Sequence, residues 1–306
     1  MAAVASRDRK RYLTLILIST FLFGSSFPAT KAVLTEVSPL WAVCLRFLAA
    51  ALSITPLLIW RGDFGGRLKL KPVVWGQVIV IGLLQTTGSM AFLNLGLQSI
   101  APPKAAILMA CAPLIVAVMA RLILRETVFA LAYAGMGVAL FGVALCLGLD
   151  SIGSSALGVG ELLVICGAFC WAAATVAIKK FAPELDVWAL SFWQMLIGAI
   201  ALALIALLNG EPFGAPVSLS VWGAFAWLAI PATTGAMGLW FQVLRLGSAV
   251  HASGFLFLSP LFATLITFAL TGNLLTMREI AGGVLIGAGI YLASLPQRGE
   301  ASASCT

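Results

Sequence analysis

Residues 73–97 read VVWGQVIVIGLLQTTGSMAFLNLGL, and residues 219–246 read LSVWGAFAWLAIPATTGAMGLWFQVLRL. Both are apolar for longer than the roughly 20 residues a helix needs to cross a hydrocarbon core of about 30 Å. They also share a register. Trp75-Gly76 lies 147 residues before Trp222-Gly223, Thr86-Thr87-Gly88 lies 147 before Thr233-Thr234-Gly235, and Met90 lies 147 before Met237. The same spacing relates Trp41 to Trp188, Pro113-Leu114 to Pro260-Leu261, Gly135 to Gly282 and Gly142 to Gly289. Isolated apolar matches arise easily by chance. A WG pair, a TTG triplet and a helical proline in one ungapped register mark an internal duplication.

Working outward with the same length criterion gives ten spans: 12–34, 39–60, 73–97, 101–124, 128–149, 157–181, 187–208, 219–246, 249–271 and 276–295. Each copy of the repeat therefore holds five, residues 1–149 in the first and 150–306, with a short tail, in the second. Five is odd, so the second copy enters the membrane from the side opposite the first. The expected fold is an all-α polytopic membrane protein, ten transmembrane helices in two inverted five-helix repeats. Such repeats recur in secondary transporters, where exchanging the conformations of the two halves moves a cavity from one face to the other. They also occur in channels. The first span follows Arg7, Arg9, Lys10 and Arg11 like a signal peptide, but its counterpart in the second copy makes it part of the fold.

Composition agrees. Of 306 residues 61% are hydrophobic and 9% charged, with a mean hydropathy of +1.08, against about a quarter charged in a soluble domain. A soluble enzyme, a nucleic-acid-binding module, a coiled coil and a disordered chain are excluded. The net charge of +7 is an orientation signal. Basic residues at the N-terminus, Arg61, Arg67, Lys69, Lys71, Arg121, Arg125, Lys179, Lys180, Arg245 and Arg298 fall on one side, and only Lys31, Lys104 and Arg278 on the other. The positive-inside rule then puts both termini in the cytoplasm, in a bacterial inner membrane. No Cys-x-x-Cys or Cys/His cluster is present; Cys166 and Cys170 share a helix face, where packing accounts for them. No metal and no cofactor are expected.

Several motifs resemble the ten-helix EamA-type transporters of the drug/metabolite transporter superfamily. The first span carries Phe23-Gly24-Ser25-Ser26-Phe27, similar to the family's WGS-x-F, with Phe where Trp is usual. The second carries Arg46-Phe47 followed by Ala49, like RF-x-x-A. Ala112-Pro113-Leu114 through Leu124-Arg125-Glu126 resembles the P-L…GE pattern, with Arg for Gly. Trp171-Ala172 and Ser259-Pro260-Leu261 match in the second half, and Asn273 stands where an acidic residue is usual. The resemblance implies a carrier exporting small metabolites, commonly amino acids, with helices one to four and six to nine around a central cavity and the fifth and tenth bracing the bundle.

Arg46 lies seven residues into the second span, so roughly 10 Å deep at 1.5 Å per residue. A guanidinium there needs a wet cavity or a partner, and no Asp or Glu occupies the middle of any span; Glu161 is at the lip of the sixth. Arg46 is a candidate for holding a substrate carboxylate, or it caps carbonyls near Pro28 or snorkels outward. Lys104 and His251 are 147 residues apart. His251, the one histidine, is a proton-coupling candidate or an interfacial residue. Gln85 and Asn94 in the third span and Gln242 in the eighth need buried partners, as do the TTG threonines; they line a cavity or stitch helices together. Trp171 and Trp240 are candidate cavity walls, Trp193 reads as lipid-facing, and Trp41, Trp60, Trp75, Trp188 and Trp222 read as the interfacial belt. Pro113 and Pro260 are bending points serving gating, or static kinks. Gly283 and Gly287 form G-x-x-x-G in the last span, whose partner is the fifth span or, in a homodimer, a second copy.

The leading functional reading is a secondary carrier for an amino acid or similar organic compound. A channel or helper subunit is the alternative. A lipid-acting enzyme is disfavoured by a single histidine and no deep carboxylate, and ATP-driven pumping by the lack of a P-loop. Uncoupled exchange and histidine-linked coupling stay open.

Overall fold

The computed structural model describes residues 2–61, 71–100, 102–147, 158–271 and 276–294. These form α1 (Ala2–Val33), α2 (Pro39–Trp60), α3 (Pro72–Leu97), α4 (Ala105–Leu124), α5 (Ala130–Leu147), α6 (Val159–Phe181), α7 (Val187–Leu208), α8 (Leu219–Leu246), α9 (Ala249–Leu270) and α10 (Met277–Ser294). Among the described residues the first nine are long and apolar enough to span a membrane. The last is 18 residues long and opens with the charged Arg278 and Glu279. The 149/150 boundary, Asn273, the Arg7 and Lys104 side chains, Cys305, and the basic Arg67, Lys69 and Arg298 lie outside the described residues.

Eight helices close a ring in the order α2, α8, α1, α9, α4, α6, α3, α7, and α5 and α10 pair with each other outside α4 and α9. This order is its own image when the two repeats are exchanged. The neighbours α1/α8 map onto α6/α3, α1/α9 onto α6/α4, and α2/α8 onto α7/α3. The pairs α2/α7, α4/α9 and α5/α10 map onto themselves.

The α5/α10 crossing shows how sequence produces that symmetry. A methyl placed on Gly135 would sit 2.6 Å from the Gly289 carbonyl oxygen, and one on Gly142 2.8 Å from that of Gly282. These are the duplicated glycines, meeting head to tail, so the two helices run antiparallel and the repeats are inverted. Without a hydrophobic force between helices in lipid, close backbone approach supplies the packing. Gly283 faces Leu261 of α9, while Gly287 has nothing within 4 Å.

Two local irregularities recur at the 147-residue spacing. Leu83–Gly88 in α3 and Ile230–Gly235 in α8 are both π-helical turns, a feature often found at functional sites. In α8 the Thr233 and Thr234 hydroxyls donate to the carbonyls of Leu228 and Ala229, five residues back. The helix of α4 breaks at Ala110 and Cys111, and that of α9 tightens to a 3₁₀ turn at Phe255–Phe257. Each break falls just before the duplicated proline, whose ring clashes with the carbonyl four residues earlier.

The tryptophans divide differently from the expected belt. Trp60 and Trp222 are 80% and 47% exposed, as a belt requires. Trp41 is buried, donating its indole N–H to the Glu211 carbonyl (3.0 Å) and packing on Phe213. Trp188 packs on Gly238 of α8. Both sit at span ends but face protein.

Trp41 belongs to a clasp between the α1–α2 and α7–α8 connections. The Glu36 carboxylate accepts the amides of Val217 (2.7 Å) and Ser218 (3.1 Å), Glu211 accepts the Leu40 amide (3.0 Å), and Ser38 donates to the Pro212 carbonyl. Hydrogen bonds from the Ser218 side chain and from these amides hold the Glu36 carboxyl below the usual carboxylate range. A depressed folded pKa means the clasp is intact above the ordinary carboxylate value and loosens only as pH falls below it. Hydrogen exchange at the 217 and 218 amides is expected to stay slow at neutral pH, rise only at more acid pH, and be fast at neutral pH in Glu36→Ala. Equal exchange in both proteins at neutral pH would contradict this.

Candidate functional site

The π-turns project into the ring's walls, and each is tied to the helix at the two-fold axis beside it. On one side the Arg46 Nε of α2 donates to the Thr233 hydroxyl at 2.5 Å, Thr234 donates to the Ala50 carbonyl (3.0 Å), and Ser53 bonds Thr234 (2.8 Å). On the other, Thr86 donates to the Gln194 carbonyl oxygen of α7 (2.7 Å) and Thr87 to the Gly198 carbonyl (3.2 Å). The threonines thus stitch helices. The related joints differ in their partner: a guanidinium in one, a neutral carboxamide in the other.

Arg46 is half-buried, and its terminal nitrogens have no hydrogen-bond partner among the described residues. No carboxylate pairs with it among the described residues; its neighbours are the Thr233 hydroxyl and the Phe47 ring, whose centroid is 5.3 Å from the guanidinium carbon. Among the described residues its hydrogen bond goes to Thr233 and not to the carbonyls near Pro28.

Seven residues beyond Thr233, two turns along α8 and roughly on the same face, stands Trp240. Its ring meets Phe23 of α1 and Trp171 of α6 at 6.3 Å each, and Phe23 meets Trp171 at 5.7 Å. The two Phe23 contacts are edge-to-face and the Trp171–Trp240 pair is tilted, at separations where aromatic rings attract. Since α6 stands across the ring from α1 and α8, the three rings form an aromatic layer across the lumen. The Trp240 indole N–H is fully buried without an acceptor among the described residues.

The other candidates are placed as follows. Gln85 is fully buried in the α3 π-turn, with neither amide atom bonded. Asn94 donates back to the Met90 carbonyl of its own helix (2.8 Å). Gln242 is half-buried two residues past Trp240. Pro113 is buried in α4 and Pro260 part-buried in α9. His251 is exposed at the start of α9, on a cleft with Met136 of α5 and Ile290 and Ala293 of α10, so it faces the brace and not the ring interior. Trp193 packs on Trp75 (4.8 Å). The structure brings Trp171 and Trp240 together and leaves His251 apart. Sequence reasoning missed Gln194, whose Nε2 is also buried without a partner. The available signal was a mid-span amide one residue past Trp193, the position 147 residues after Arg46.

A family model described as the EamA-like transporter family matches residues 10–148 and again residues 158–295. The chain belongs to the EamA-like transporter family. The two matches in this EamA-family protein are the two five-helix halves of the fold. It is 28% identical over 288 residues to "Uncharacterized transporter YyaM" of Bacillus subtilis (strain 168), covering 92% of this chain and 93% of that one. It is 26% identical over 268 residues to "Uncharacterized inner membrane transporter YedA" of Escherichia coli (strain K12), covering 87% and 85%. "WAT1-related protein At3g02690, chloroplastic" of Arabidopsis thaliana is 26% identical over 292 residues, covering 92% of this chain and 69% of the plant protein. A solved crystal structure superposes with a TM-score of 0.81 at 22% identity, over 92% of this chain and 96% of that one. That last likeness speaks for the fold.

Proposed function

We propose that this EamA-family chain is a secondary active or facilitative carrier that exports a small organic acid, such as an amino acid, by alternating access. The supporting observation is Arg46: a half-buried guanidinium within α2 whose terminal donors are free and which meets no carboxylate among the described residues. About 10 Å separates the Thr233 level from the aromatic layer, seven residues at 1.5 Å each. A molecule with a carboxylate at one end and an apolar body at the other fits that interval. Both termini lie in the cytoplasm of a bacterial inner membrane in this reading, as the basic loops favour.

His251 would influence coupling by acting on α9 from behind. A second copy, if one binds, would use the face of α10 left free by α5, around Val284 and Gly287. Proteoliposomes preloaded with unlabelled amino acids are expected to show saturable tracer uptake with a counterflow overshoot. Flux rising linearly with concentration and carrying ionic current would overturn the carrier in favour of a channel.

A further inference from the structure

Where α4 ends, Arg125 takes a left-handed conformation (φ 56°), a backbone shape glycine adopts freely, which accounts for the GE pattern that Arg125-Glu126 resembles. The turn delivers the Glu126 carboxylate to the first turn of α9. It accepts the Ser248 hydroxyl (2.6 Å) and the amides of Ala249 (3.1 Å) and Val250 (3.4 Å). Ser248 is itself the N-cap of α9. The Val250 amide is shared with the Ser248 hydroxyl (3.1 Å), which also accepts that of His251; a carboxylate added to the capped N–H groups at the positive end of a helix is a charge-assisted contact.

This contact closes the α4/α9 crossing on the face where α1 begins and α10 ends. Other links gather there. The Tyr12 ring of α1 packs on Gly247, Arg245 donates to the Leu185 carbonyl, and Arg61 lies 3.9 Å from Asp186. The half of α8 nearest that face packs across the ring onto α6 and α7, with Trp240, Phe241, Val243 and Leu244 wholly buried.

On the opposite face the chain cannot build the same contact. The positions related by 147 residues are Asn273 for Glu126, Ala101 for Ser248, and Pro102 and Pro103 for Ala249 and Val250. Carboxylate and hydroxyl are both replaced, and neither proline has an N–H to donate. Gln98 stands for Arg245 and is exposed. The α4/α9 crossing is therefore fastened by a carboxylate on the termini-bearing face alone; the opposite face is held by the Glu36 and Glu211 clasp between the α1–α2 and α7–α8 connections, which joins ring neighbours and does not cross the ring.

We propose that Glu126 is the lock of the gate on the termini-bearing face, and that the chain rests closed there, opening only when the first turn of α9 releases the carboxylate. This rests on the alternating-access reading and adds the resting state and the residue that sets it. In lipid, with the six native cysteines replaced, spin labels at the exposed Leu122 and Leu246 report the distance across this face. The parent is expected to give one short distance. Glu126→Ala is expected to raise the open-to-closed ratio on the order of fivefold, the scale of a lost helix cap, and Ser248→Ala to shift it less in the same direction. Glu126→Gln keeps an acceptor oxygen, so it serves if the alanine variant does not fold, with an intermediate shift expected.

Unchanged distances in folded variants would overturn the lock. Counterflow measured in the same vesicles separates the two claims: distances that move without counterflow keep the lock and remove the carrier, and counterflow with fixed distances does the reverse.

Discussion

Arg46→Ala is expected to cut saturable uptake of a carboxylate substrate at least ~30-fold, because truncating one partner of a buried, hydrogen-bonded charge pair costs about 2–5 kcal/mol. The prediction follows from the state of the side chain. Thr233 takes only Nε, leaving the terminal nitrogens free among the described residues. Arg46→Lys keeps the charge but loses the planar fork, so it should retain part of the activity with a raised KM. A structural role makes a different forecast: loss of the Thr233 bond would lower the melting temperature of both variants while leaving KM alone. Wild-type KM in both, with normal melting, would remove Arg46 as the ligand. The Gln194 side of the fold supplies an internal comparison. Gln194→Ala loses a neutral hydrogen bond to Thr86 and should cost far less.

Gly289→Val is expected to give the largest loss of stability. A Cβ at Gly289 would come within 2.5 Å of both the Ala139 amide nitrogen and the Gly135 carbonyl oxygen. These are backbone atoms and cannot rotate away, so α5 and α10 must separate. Overpacking costs about 1–3 kcal/mol where side chains can yield, and more where they cannot. A melting temperature in detergent lowered by many degrees, or loss of the monodisperse peak on size exclusion, is the expected result. Gly287→Val, two residues away on the other side of the helix with nothing within 4 Å, is the control and should melt as wild type. If the two variants melt alike, the α5/α10 apposition is not what holds the brace.

The span count, the inversion and the α5/α10 partnership were legible in the sequence because each rests on apolar length or on a repeated residue type. Arg46 was legible as a candidate because a charge at that depth demands an explanation. Other features were hidden for physical reasons. Trp41 and Trp60 are equally apolar and equally near span ends, but one meets Glu211 and Phe213 and the other lies exposed; hydropathy does not distinguish protein interior from lipid. The π-turns depend on hydroxyls finding carbonyls five residues back, which helical periodicity does not encode. Gln194 became visible only when Thr86 was seen to reach it. Glu126 stood in a recognised motif without a stated task, since its partners lie more than a hundred residues away.

One consequence follows from the glycine seam. At Gly135/Gly289 and Gly142/Gly282 backbone lies directly on backbone, with no side chain between that could change rotamer, so α5 and α10 have little room to slide past one another. Under the alternating-access reading proposed above, the pair is a stiff strut behind α4 and α9, and any opening of the eight-helix ring has to be taken up elsewhere.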